Sequence, residues 1–482
     1  MQASLRTLLL NFILVSALGC FAQADKIHLL IDEKEAMQAR ADIIKAAQKE
    51  IYVEYYTVGD DEVSLGFFSL LLQAAQRGVH VKVLVDALAS HAPYSSLAAL
   101  LKIAEQQAEP STVGRWHSNF EIKVFNPFKG INIFGISRRT HAKIVLADQQ
   151  ELITGGRNIG DSYFGQKARF VDLDIYVSGT EAKRTANNFM AVWNSNVVDY
   201  PVFREIDPDT VSETCEQSPT DEKCNQVTKS QILEKFSARV SEFSERIKNL
   251  LESGLSLGVD LTDSDTAWLR NSKSYPTQII LDEPRNFITA NNSTNGIGSK
   301  YLEKLQQAQK SLTIVSPYLI PTDEEFAVFK TLLARNVKIK LITNSIISSD
   351  DMRAVAGYYQ SKKEILALGK GLEIYEYEGE RTLHGKVAVI DSAIGIVGTF
   401  NMDPRSFRLN REMAVAFVDS VDGVLSSQLN QVIAGFQSHS LMVGQNGLDV
   451  NLDQQRQRPI PEDREKTVRN YLRIIPLIRN QL

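Results

Sequence analysis

Two short stretches of this chain repeat the same four residue types at the same intervals. In HAKIVLADQQELITGGRN, His141 is followed by Lys143, Asp148 and Asn158. In HGKVAVIDSAIGIVGTFN, His384 is followed by Lys386, Asp391 and Asn401. Each pair is separated by 243 residues (384 − 141). A single match would carry little weight, but two in register mean a duplicated unit. The residue types suit phosphodiester chemistry. Transfer at phosphorus passes through a five-coordinate species whose oxygens need fixed positive charge and donors, which two lysines and two asparagines supply. Two histidines divide the rest: one attacks phosphorus, while the other protonates the leaving oxygen and then activates the incoming hydroxyl. Such a scheme calls for no metal and no cofactor.

In HAK and HGK the histidine and lysine stand two apart, so on a strand both emerge on one face. Asn158 and Asn401 follow glycine-bearing turns, GGRN and GTFN, where bare backbone can approach a phosphate closely. Each imidazole also needs a carboxylate to fix its tautomer and ring plane. The candidates are Asp174 in VDLDIYV, 33 residues after His141, and Glu412 in LNREMAV, 28 after His384. A structural salt bridge is the alternative for both.

The elements around the motifs repeat as well. Residues 50–86 and 311–344 share one plan: a β-rich run, an acidic break, an amphipathic helix ending near Arg77 or Arg335, and a second β-branched run. Alternating β-rich and helical periods predict α/β units on a sheet. Residues 206–228 read as a polar linker. Residues 231–251 read as one long helix, with Ile232, Phe236, Val240, Phe243, Ile247 and Leu250 on a face that packs on its own body. The first half is longer between helix and motif. Part of the excess falls in VFNPFKGINIFGISRRTH, where exposed-looking Phe125, Phe128, Ile131, Ile133 and Phe134 precede Arg138 and Arg139. That segment is either a lipid-facing lip or a simple hairpin.

The 482 residues suffice for two or three domains, and 43% hydrophobic with 23% charged residues is globular composition. A net charge of −5 argues against holding nucleic acid by bulk phosphate attraction. The first 24 residues, with Arg6 ahead of an apolar run, read as a signal peptide. The alternatives are a lipobox ending at Cys20 or an uncleaved anchor. The reading is therefore an exported protein, periplasmic or membrane-associated. In that setting Cys215 and Cys224 read as a disulfide, with two free thiols as the alternative. From Gln454 onward seven Lys and Arg face three acids, and Val468, Tyr471, Leu472, Ile475 and Ile478 share a helical face. This tail either docks on the body or rests on an anionic bilayer. The expected segments are thus 1–24, a first half 25–205, a linker and helix 206–275, a second half 276–440 and a tail 441–482.

The paired His-x-Lys-x-x-x-x-Asp motifs resemble the phospholipase D superfamily. NPF before the first motif, GGRNIGDSYFG, DLD, TNS followed by AGY, and FNMDPRS are most similar to bacterial cardiolipin synthases of the C type. The resemblance implies two pseudo-twofold-related α/β sandwich halves with the active site at their interface, complete within one monomeric chain. It implies His141 as nucleophile and His384 as acid, with Asp148 and Asp391 buttressing the motifs. It also implies a phospholipid substrate at a membrane surface. The expected activity is phosphatidyl transfer. The alternatives are hydrolysis to phosphatidate, a nuclease of the same superfamily and a catalytically dead scaffold.

Overall fold

The computed structural model describes residues 23–88, 94–107, 119–127, 137–201, 229–253, 266–282, 296–419, 422–443 and 459–482. The first half contributes strands β1 (Gln23–Leu30), β2 (Glu50–Tyr55), β3 (His80–Asp86), β4 (Phe120–Phe125), β5 (Ile144–Ala147), β6 (Glu151–Gly155), β7 (Phe170–Val171), β8 (Asp174–Ser178) and β9 (Val198–Asp199). The second contributes β10 (Lys273–Leu281), β11 (Ser311–Val315), β12 (Lys338–Asn344), β13 (Leu372–Tyr377), β14 (Thr382–Leu383), β15 (Val387–Ile390), β16 (Ile394–Gly398), β17 (Met413–Val418) and β18 (Ser440–Met442).

Sixteen strands form one sheet in the order β18-β13-β12-β11-β15-β16-β17-β10-β1-β8-β6-β5-β2-β3-β4-β9. Read outward from the antiparallel β1–β10 pair, the two sides match strand for strand, so the duplicated sequence is a duplicated fold joined edge to edge. Joining the edges removes two rows of unpaired backbone groups. The remaining strands, β7 and β14, pair in parallel across the two halves.

The helices follow the shared plan. Helix Glu62–Gln76 starts at Asp61, whose carboxylate accepts from the Ser64 N–H, and helix Asp323–Ala334 starts at Thr322 in a capping box with Glu325. Past their ends, Arg77 donates to the carbonyls of Ile44 and Lys45, and Arg335 to those of Gln306 and Ala308. Each half has a core on its helical side, and a third core draws apolar residues from both, including Ile144, Leu173, Val387 and Phe436. The halves are therefore packed as one body rather than merely tethered.

Helix Lys229–Ser253 buries Val240, Phe243, Ile247 and Leu250 in the core of the first half. The tail helix Glu462–Leu472 and the turn Ile475–Ile478 dock Val468 and Ile475 against Ile346, Val355 and Ala356. Gln23 and Ala24 lie in β1, paired with Thr277 and Pro276 of β10. Phe125 is not exposed; as the last residue of β4 it is 1% accessible. Residues 1–22, including Cys20, lie outside the described residues, as do Phe128, Ile131, Ile133, Phe134, Cys215 and Cys224. Among the described residues no helix is long and apolar enough to cross a membrane.

Candidate active site

The two motif histidines stand just before β5 and β15, at the seam between the halves, and each is held by the half it does not belong to. The His141 N–H donates to Arg411 O at 2.8 Å, and the His384 N–H donates to Val171 O at 2.8 Å. One residue before each histidine, Asp86 at the end of β3 accepts from Thr140 N at 3.1 Å, and Asn344 at the end of β12 accepts from Leu383 N at 3.0 Å. A matched pair of strand ends thus fixes where both histidine segments enter the seam.

The orienting carboxylates cross in the same way. His141 Nδ1 lies 2.9 Å from Glu412 and 3.2 Å from Thr399 O, while His384 Nδ1 lies 2.6 Å from Asp172. In both rings Nδ1 is thereby held by a carboxylate of the opposite half, which fixes the ring's orientation. Sequence spacing counts each acid from the histidine of its own half, and the fold pairs each with the opposite one. Asp174 is a correction: its carboxylate is buried among Arg40 at 2.8 Å and Arg157 at 3.2 Å and touches neither histidine. The register explains the error. Gly155 pairs with Asp174 where Gly398 pairs with Ala414, so the counterpart of Glu412 is Asp172. The two aspartates of DLD are a two-residue choice that sequence alone leaves open.

The same register revises the reading of GGRN. A Cβ on Gly155 would lie 2.3 Å from an Asp174 oxygen, and one on Gly156 would lie 2.1 Å from an Asp172 oxygen. These glycines make room for the two carboxylates rather than for a phosphate.

Asp148 and Asp391 lie away from the histidines. Each sits at positive φ in the hairpin after β5 or β15 and clamps the turn into the neighbouring strand. Asp148 accepts from the N–H groups of Gln48, Lys49 and Glu50, and Asp391 from those of Gln309, Lys310 and Ser311.

Lys143 and Lys386 are buried beneath the histidines. Lys143 donates to His141 O at 2.8 Å and lies 5.5 Å from the Tyr56 ring centroid. Lys386 Nζ rests against the His384 ring, 2.8 Å from Nδ1 and 3.1 Å from Nε2. Burial and the neighbouring Lys386 push the Lys143 ammonium down, and burial lowers Lys386 to about 8. Burial also lowers both imidazoles, helped by Lys143 and Lys386 at His141 and by Lys386 at His384, which falls to about 4. The carboxylates respond differently. Burial raises Glu412 against the pull of Lys143, whereas at Asp172 the burial effect is outweighed by Lys386 and His384, which hold it low. Burial therefore leaves these cations short of negative charge, the condition an anionic diester relieves.

His141, His384, Asn158 and Asn401 all line one cavity of about 570 Å³, walled also by Tyr56, Tyr163, Phe170 and Tyr318. Tyr56 meets the His141 ring edge-on at 5.0 Å and Tyr163 meets His384 at 5.4 Å, while Asn158 Nδ2 donates to Tyr163 Oη at 2.8 Å. The Asn401 side-chain oxygen is buried without a partner. Five aspartates (Asp60, Asp61, Asp350, Asp351, Asp403) and three arginines (Arg169, Arg353, Arg405) also line it. Arg139 is not a free cation at the rim; it is buried and paired with Asp86 at 3.3 Å.

Sequence reasoning missed Asp172, Asp86, Asn344 and the buried Glu54–Arg411 pair, in which Arg411 Nε donates to Glu54 at 2.8 Å and Thr140 Oγ1 donates to the same carboxylate. DLD and TNS were visible in the sequence, but nothing in it links Glu54 to Arg411 across 357 residues.

Residues 41–193 and 301–437 match the family described as "Cardiolipin synthase, PLD-like domain". Cardiolipin synthase C of Escherichia coli strain K12 is 27% identical over 408 residues, covering 79% of this chain and 78% of that protein. An uncharacterised protein of Helicobacter pylori strain J99 is 26% identical over 416 residues, 81% of this chain and 75% of that one. The crystal structure of phosphatidylserine synthase from Haemophilus influenzae Rd KW20 superposes with a TM-score of 0.61 at 16% identity, covering 98% of this chain and all of that one, so the fold is shared. The two matched segments coincide with the two motif-bearing halves, and the chain belongs to the family of cardiolipin synthase-like phospholipase D domains.

Proposed function

We propose that this cleft transfers a phosphatidyl group from one glycerophospholipid to a hydroxyl of another, forming cardiolipin through a phosphohistidine. The observation that carries the reading is the crossed pair: two histidines with Nδ1 tied to a carboxylate of the opposite half, facing one cavity above two buried lysines. His141 is assigned as nucleophile. Its Nε2 lone pair attacks phosphorus, and the bond from phosphorus to the leaving oxygen breaks as His384 Nε2–H supplies that oxygen with a proton. In the second step the incoming hydroxyl gives its proton to His384, its oxygen bonds to phosphorus and the N–P bond breaks. Glu412 and Asp172 stabilise the imidazolium that each ring becomes. The lowered imidazoles fit a nucleophile that is neutral in the free protein. Charging His384 is opposed by burial and by Lys386, and the bound diester offsets the opposition of Lys386.

An acceptor of water in place of the second lipid would give phosphatidate by the same intermediate. The nuclease alternative is disfavoured by the net charge of −5, which opposes holding a polyanionic strand by bulk phosphate attraction. Incubating purified protein with defined phospholipids and identifying products by mass spectrometry tests the proposal. Cardiolipin is the expected product. Phosphatidate alone would make the protein a hydrolase, and no turnover of any phospholipid would overturn the reading.

A further inference from the structure

The tail presents two faces with opposite characters. Its inner face is anchored: Val468 and Ile475 are buried, and Arg464 donates to the carbonyls of Ile346, Ile347 and Ser349, each at 2.9 Å. Elsewhere along the tail, large apolar side chains are exposed among the described residues. Leu477 is 85% exposed, Ile474 42% and Leu472 37%, so three of the eight large hydrophobic residues exposed among the described residues fall within six positions. The stretch 466–482 holds Lys466, Arg469, Arg473 and Arg479 and no acid, in a protein whose net charge is −5. Lys466, Arg469 and Arg473 are exposed, while the exposed acids of the tail helix, Glu462, Asp463 and Glu465, are confined to its first turn, where Glu465 pairs with Arg469 at 3.4 Å. The ridge also continues into the catalytic cavity, because Gln481 and Leu482 are part of its wall and Arg405 donates to Gln481 O at 3.2 Å. Leu477 stands four residues before Gln481, roughly 6–8 Å along a helical path.

We propose that this ridge is a docking surface for an anionic phospholipid bilayer, with Leu472, Ile474 and Leu477 entering the acyl boundary and the flanking arginines meeting lipid phosphates. Apolar residues flanked by cations on a short interfacial helix suit that boundary, and the acid-free charge of residues 466–482 favours an anionic leaflet over a neutral one. Docking there would set the cleft mouth against the lipid surface from which substrates come. The inference rests on the phospholipid reading of the cleft, but its test does not pass through catalysis.

The test is flotation of the full chain with vesicles of phosphatidylglycerol and phosphatidylcholine, and of phosphatidylcholine alone. It compares wild type, the double variant Ile474→Ser/Leu477→Ser and the double variant Arg469→Gln/Arg473→Gln. Wild type should float with the anionic vesicles. The serine pair should lower that association at least about tenfold, as expected for losing leucine-sized apolar contacts. The glutamine pair should lower it on anionic vesicles only. Both variants should keep wild-type turnover of a short-chain soluble diester and wild-type melting. Unchanged flotation of the serine pair would overturn the proposal, as would a wild type that does not float. So would a wild-type dimer that the serine pair dissociates, since a second copy would then cover the ridge. Loss of flotation together with inactivity of the wild type on every diester would leave the docking surface standing and sink the catalytic reading instead.

Discussion

Replacing Glu412 by glutamine isolates what the crossed carboxylate does for His141. The side chain keeps its shape, and its surroundings are all donors: Ser406 Oγ at 2.8 Å and Asn410 Nδ2 at 3.3 Å on one oxygen, with Thr399 Oγ1 and His141 Nδ1 on the other. Hydroxyls can rotate to accept and the Asn410 amide can turn, so the amide is accommodated and the main loss is one negative charge beside the ring. Two unit charges about 4 Å apart at an effective dielectric near 20 interact by about 4 kcal/mol. At about 1.4 kcal/mol per decade this predicts a fall in kcat of about a thousandfold. Because burial holds the Glu412 carboxyl above the usual range, wild-type activity should also fall as pH drops through it, and the glutamine variant should lose that acid limb. The contrast is Asp174→Asn. It leaves Arg40 and Arg157 without their shared counter-charge and should destabilise the fold by about 3–5 kcal/mol, with no change in the pH profile of the protein that remains folded. Turnover of a fluorescent phospholipid in mixed micelles between pH 5 and 9, with folded fraction from circular dichroism, measures both. A Glu412→Gln enzyme within about tenfold of wild type, or an Asp174→Asn enzyme that loses the acid limb, would refute the assignment.

His141→Ala and His384→Ala should each lower turnover at least about a thousandfold. Asp172→Asn should slow release and let phosphate label accumulate on His141, which acid-quench peptide mapping reads; label on His384 instead would reverse the roles. Because burial lowers Lys386 to about 8, its ammonium is lost as pH rises above that value, and inorganic phosphate or vanadate should bind up to about tenfold more weakly per pH unit there. Calorimetry of wild type and Lys386→Gln should show the slope in the first and a flatter one in the second. Arg411→Met strands the fully buried Glu54 carboxylate and should cost about 3–5 kcal/mol, while the double variant Glu54→Leu/Arg411→Met should recover much of it; equal melting of single and double variants would count against the pair. Excess chelator should leave the rate nearly unchanged, and a steep loss restored by a divalent ion would point to other chemistry.

The sequence by itself determined the duplication, the two motif strands, the helices ending near Arg77 and Arg335, and the amphipathic face of the long helix; of the tail face it read, Val468 and Ile475 are buried and Leu472 is exposed. All of these are encoded within a few residues of one another, by strand alternation and helical period. Tertiary structure alone decided which carboxylate serves which histidine. A strand places residues two apart on the same face, so DLD offers Asp172 and Asp174 equally until the register with Gly155 and Gly156 separates them. The crossing of Glu412 to His141 and of Asp172 to His384, and the pairing of Glu54 with Arg411, exist only because β1 and β10 join edge to edge and turn the halves face to face. Contacts between residues hundreds of positions apart leave no local periodicity to read, so packing had to supply them.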